Sequence, residues 1–159
     1  MGGNEIGARI HPRLVSDEGS RFPYSHQAPA PVTSLRAMST DFTTTLQAGY
    51  LHVTLAPGYE IRPAGTRELT LAISDICTRR NVGRVLIEGR VAKRHMDTMD
   101  SFGLGALMGS RLAGMQVAIC LYGYAVDQQS QFFKDVAQNR GVRLDFFSDR
   151  EAALRWLGC

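Results

Sequence analysis

From residue 42 onward the apolar positions fall into short periodic runs. "FTTTLQ" and "YLHVTLA" alternate β-branched or aromatic residues with polar ones, and "AG" lies between them. That pattern predicts an antiparallel hairpin. In "TRELTLAISDICTRRNVG" the period lengthens. Leu69, Ile73 and Ile76 recur at helical spacing, with Leu71, Ala72 and Cys77 beside them. Thr66 is the expected N-cap, and Arg79 and Arg80 suit the negative C-terminal end, with Gly83 beyond it. "RVLIEG" is apolar at consecutive positions, as a strand covered on both faces requires. A second helix is expected over 98–113, with Phe102, Leu104, Ala106, Leu107 and Met108 available to the core. "MQVAICL" reads as the next strand. "DQQSQFFKDVAQNRG" predicts a third helix with a stripe of Phe132, Phe133, Val136 and Ala137 and a stop at Gly141. "VRLDFF" is the last strand. "SDREAALRWLG" opens on Ser148 with Glu151 three residues later, the spacing of a capping box.

Strand and helix therefore alternate behind an opening hairpin. The class is α/β, with a mostly parallel sheet of about five strands, an initial antiparallel hairpin, about four helices and right-handed crossovers. Residues 38–159 make one domain. Residues 1–37 hold four of the six prolines and no period. They read as a flexible arm, or as an over-extended start ahead of a natural initiator at Met38.

Composition narrows the function. A formal charge of +3 is too small to call for a nucleic-acid partner. No apolar run approaches the roughly 20 residues of a membrane span, and the N-terminus lacks a secretory apolar core. A cytoplasmic location is the resulting expectation. The three cysteines, Cys77, Cys120 and Cys159, and the histidines His11, His26, His52 and His95 lack metal-ligand spacing. Cys77 and Cys120 stand among apolar residues, as buried free thiols do. Nucleophile-elbow and phosphate-loop motifs are missing. The expectation is a protein without cofactor or metal that is not an enzyme.

In an open parallel sheet the functional face is the crevice beyond the strands' C-terminal ends. "RVAKRHMDTMDSFG", "YGYAVDQQSQ" and "SDRE" should emerge there. Ser101 lies in the first turn of the second helix, beside Asp100, where Asp97 and Thr98 compete as N-caps. Free N–H groups and the positive helix end would favour a phosphate on Ser101. Arg90, Lys93, Arg94 and His95 precede it and suit an anion. The plainer reading is an ordinary polar residue at a helix start. Gly103, Gly105 and Gly109 each cost about 1 kcal/mol relative to alanine in a helix. Gly105 and Gly109 share a face, and close packing against the sheet is the expected reason. The basic loop lacks the interleaved aromatics of a single-strand binder, which argues against nucleic acid. A second reading has Tyr122, Tyr124, Phe132 and Phe133 lining the crevice, with Arg90 and Arg94 nearby. It would hold a small apolar or anionic ligand, lipid-like in character. Core and rim packing is the plain alternative.

"MDSFGLG" resembles the signature of STAS domains, the family of sulphate-transporter and anti-sigma-factor-antagonist modules. Met99, Asp100, Ser101, Gly103, Leu104 and Gly105 match, while Phe102 replaces a second serine. "FFKDVAQNRGVRLDFFSDREAALRWL" is similar to the closing pattern of the SpoIIAA-like, STAS/SEC14-related stand-alone proteins, with Asn139, Arg140 and Gly141 as its "NRG". The resemblance covers roughly residues 42–157. It implies a regulatory module that binds a protein partner, anti-sigma-factor-like or kinase-like, through the helix near Thr98. Phosphorylation at Ser101 would then block the contact. Such a switch calls for a shallow, exposed face around Ser101. A carrier calls for an enclosed apolar pocket, typically a few hundred Å³. Oligomeric state is left open by either reading.

Overall fold

The structure, a computed structural model, describes residues 40–159. The reading of residues 1–37 lies outside them. The hairpin forms as expected. β1 (Phe42–Gln47) and β2 (Tyr50–Leu55) pair antiparallel, from Phe42 opposite Leu55 to Gln47 opposite Tyr50. Gly49 turns the chain with φ 91°, a conformation open to glycine at little cost.

A short strand, β3 (Tyr59–Ile61), then leads into α1 (Pro63–Arg80). Here the expected boundary moves. The N-cap is Arg62, and Pro63 opens the helix, where its missing N–H costs nothing. Thr66 lies within the first turns, buried, and its carbonyl accepts the Thr70 hydroxyl at 2.8 Å. Asn81, left-handed at φ 52°, closes the helix ahead of Gly83.

β4 (Arg84–Gly89) follows and then β5 (Val91–Arg94), where sequence periodicity indicates only a loop. β3 and β5 pair parallel in a separate two-stranded sheet, with a register shift between Tyr59 and Glu60. The chain continues through α2 (Thr98–Arg111), β6 (Gln116–Leu121), α3 (Gln128–Gln138), β7 (Arg143–Phe147) and α4 (Arg150–Leu157). α4 is capped by Asp149, whose carboxylate accepts the Ala152 N–H at 2.9 Å. Ser148 lies outside the helix, so the expected capping box does not form.

The main sheet has the order β1-β2-β4-β6-β7 and is parallel from β2 onward. The α/β expectation of five strands and four helices holds. Alternation along the strands splits the core in two. Val85, Ile87, Val117, Ile119 and Leu121 join Leu69, Ile73, Leu104, Met108 and Phe133 under α1, α2 and α3. Leu86, Ala118 and Cys120 face Ala153 and Leu157 of α4. Among the described residues no helix is long and apolar enough to cross a membrane.

Gly105 and Gly109 pack against α3 and not against the sheet. A Cβ at Gly105 would stand 2.8 Å from the Phe133 carbonyl oxygen, and one at Gly109 would stand 2.7 Å from that of Ala137. Glycine here lets two helix backbones approach closely, which offsets its helix cost. Phe102 and Phe132, expected to face the core, are exposed and stack with ring centroids 6.4 Å apart.

Candidate functional site

The β5–α2 connection and the start of α3 meet over the C-terminal ends of β4 and β6. Asp97 wins the competition for the N-cap of α2. Its Oδ1 accepts the Asp100 N–H at 2.8 Å, and Asp100 Oδ2 accepts the Asp97 N–H at 3.2 Å. This reciprocal box is satisfied within the chain. Thr98 becomes the first helical residue and is exposed.

Ser101 does not lie on an exposed face. It is 1% exposed, and its hydroxyl donates to the Asp97 carbonyl at 2.9 Å. A phosphate there would remove that bond and would fit only if the first turn of α2 moved. Gly103, by contrast, is exposed, with nothing within 4 Å of where its Cβ would be.

Arg94, the last residue of β5, is the hub on this face. Its guanidinium grips the Asp127 carboxylate with two bonds, Nη1 to Oδ1 at 2.9 Å and Nη2 to Oδ2 at 2.5 Å. Nη1 also donates to the Tyr124 hydroxyl at 2.9 Å and to Ser130 Oγ at 3.3 Å. Asp127 is the N-cap of α3, accepting the Ser130 N–H at 2.9 Å and its hydroxyl at 2.8 Å. The guanidinium beside it, followed by the Ser130 bonds, holds the Asp127 carboxyl well below the usual carboxylate range despite some desolvation. Gln129 donates to the Met96 carbonyl at 3.0 Å and ties α3 to the segment before α2.

Beneath this cluster lies a cavity of about 90 Å³. Its wall is mostly apolar, with Leu55, Ile87, Ile119, Leu121 and Phe133 prominent, and Ser101, Tyr124 and Ser130 supply hydroxyls. Tyr59 of β3 also lines it, and burial raises that phenol's pKa. An open hollow of about 570 Å³ lies outside, bordered by Thr98, Asp127 and Phe132. Arg94 and Gln129 border both spaces.

The other expected residues divide by face. Tyr124 and Phe133 line the cavity, and Phe132 borders only the outer hollow. Tyr122 and Arg90 belong to the α4 side, a correction to the expected crevice, because alternation after β6 sends Tyr122 the other way. The Arg90 guanidinium lies 5.9 Å from the centroid of the Tyr122 ring. The Tyr122 hydroxyl donates to Glu88, and that bond chiefly raises its pKa. Glu88 also accepts from His52 Nε2 at 2.7 Å and from Arg150 Nη1 at 3.2 Å.

Sequence reasoning missed Asp127, Ser130 and Gln129 as site residues. Asp127 was readable as a helix cap, yet nothing in the sequence ties it to Arg94. Among the described residues no cluster of three or more His, Cys, Asp or Glu side chains could hold a metal ion. No protein-family model matches the chain, and neither does any curated protein.

Proposed function

We propose that this protein binds a small ligand through the apolar cavity under the Arg94–Asp127 pair. One observation carries the reading. An apolar cavity lies at the C-terminal end of a parallel sheet and meets an outer hollow at two polar side chains, Arg94 and Gln129. Binding sites favour this combination of apolar wall and few convergent polar groups. At about 90 Å³ the cavity is smaller than the few hundred Å³ expected of a lipid carrier. The ligand is therefore small, or the β3–β5 sheet and α3 separate to admit it. Native mass spectrometry of protein gently purified from its own host tests this. A small molecule retained by the wild type and lost from a cavity-filling Ile119→Phe variant supports the reading. Both proteins found at their bare sequence masses, with no adduct on either, contradict it.

A second reading keeps the STAS-type regulatory module, docking a protein partner in the cytoplasm. Its support is the ridge between α2 and α3, where Met99 is 74% exposed and the Phe102 and Phe132 rings stack in the open. Exposed apolar clusters of this kind mark interaction surfaces. A phosphate on Ser101 would act in this reading by prying open the first turn of α2 beside that ridge. The intact mass of the wild type beside Ser101→Ala reads it directly. An added phosphate lost in the variant supports the switch, and unphosphorylated protein under all growth conditions removes it.

A further inference from the structure

We propose that the cavity takes a short aliphatic monocarboxylate, its hydrocarbon end inside and its carboxylate on the Arg94 guanidinium in place of Asp127. The inference rests on the ligand-binding reading above and adds the chemical class.

Charge selects an acid. Among the described residues lining the cavity, Arg94 alone carries a full charge, and it is a cation. Its planar fork fits a carboxylate with two parallel bonds. Asp127 already shows that geometry on the same guanidinium. Tyr124 and Ser130 stand within 2.9 and 3.3 Å of Nη1 and supply further polar contacts. Asp127 already supplies the one negative charge this cation takes, so an acid binds by displacing it.

Asp127 is the partner that must give way. The Asp127 side chain is 47% exposed, whereas Arg94 is 23% exposed and borders the cavity. Displacing Asp127 toward solvent gives up its cap bonds to Ser130 as well as the ion pair, while Arg94 stays in place. Its carboxylate competes with any incoming acid, so binding to the wild type is weak and the pair acts as a latch.

Volume sets the length. An engineered apolar cavity of about 150 Å³ accepts benzene. The present cavity of about 90 Å³ is smaller. It suits a chain of about three to five carbons rather than a long acyl tail.

Butyrate and its neutral counterpart 1-butanol, titrated into the full chain and followed by protein NMR, test the proposal. Three proteins are compared: wild type, Asp127→Asn and Arg94→Gln. Asparagine keeps the N-cap of α3 while removing the competing charge. Butyrate should bind the wild type weakly, bind Asp127→Asn on the order of ten-fold tighter, and lose its site in Arg94→Gln. Butanol, which has no carboxylate, should gain nothing from Asp127→Asn. If Arg94→Gln fails to fold, Arg94→Lys replaces it and should bind butyrate more weakly than the wild type, having a charge but no fork. Butanol binding with no butyrate binding, even in Asp127→Asn, overturns the proposal and leaves the cavity reading standing. Butyrate binding that Arg94→Gln leaves intact also overturns it. Failure of both probes with all proteins removes both readings.

Discussion

Glu88 and Arg94 are each the centre of a hydrogen-bonded polar cluster at the C-terminal end of the sheet, on opposite faces. Glu88 is 12% exposed and receives Tyr122, His52 and Arg150. Its partners come from β2, from the turn after β6 and from α4, so the cluster pins these three segments to β4. Arg94 gathers Asp127, Tyr124 and Ser130, but its guanidinium also borders an apolar space. Each cluster joins a tyrosine hydroxyl to an ion pair. What marks out Arg94 is the apolar cavity that its guanidinium borders. By this criterion Glu88 is structural and Arg94 is the candidate for ligand contact.

The largest expected effect breaks the structural cluster. Glu88→Ala leaves His52, Tyr122 and Arg150 without their common acceptor, and stability should fall by about 3 kcal/mol. Thermal unfolding measures this, and butanol binding at the opposite face should survive below the lowered Tm. A smaller loss is expected from Gly105→Val. Its side chain meets the Phe133 carbonyl and Val136, so α2 and α3 must separate, at about 2 kcal/mol. Because Phe133 lines the cavity, this variant should also alter ligand binding, which Glu88→Ala should not.

Asp127→Asn has the smallest effect on stability. The pair is partly exposed and solvent-screened, so the loss at neutral pH should be about 1 kcal/mol or less. Its pH dependence has a definite sign. The Asp127 pKa is lowered by folding. Its contribution is therefore complete above the unfolded value, near 4, and is lost as pH falls through the lower folded one. Melting curves of wild type and Asp127→Asn should differ at pH 7 and converge as the pH drops below about 4.

Much of the fold was legible because one physical signal dominated each element. The hairpin announced itself by alternation and a glycine turn, and β4 and β6 by consecutive apolar residues. β3 and β5 carried neither signal. "YEI" and "VAKR" are short and half polar, and they become strands only by pairing with each other across α1 and β4. Pro63 was a usable start signal for α1, but Thr66 was the more familiar cap. Gly105 and Gly109 revealed a close approach without revealing that α3 makes it. Ser101 was placed correctly in the first turn of α2, yet its burial depends on Asp97 capping the helix and on α3 packing beside it. The Arg94–Asp127 pair joins segments far apart in the chain, and local pattern holds no record of that contact.

The most direct test of the central claim is a set of methyl NMR spectra of the full chain under xenon, an apolar probe that enters small dry cavities. Shifts concentrated at the methyls of Leu55, Ile87, Ile119 and Leu121 are the expected result. Unchanged signals at those four residues would contradict a ligand-accepting cavity beneath Arg94.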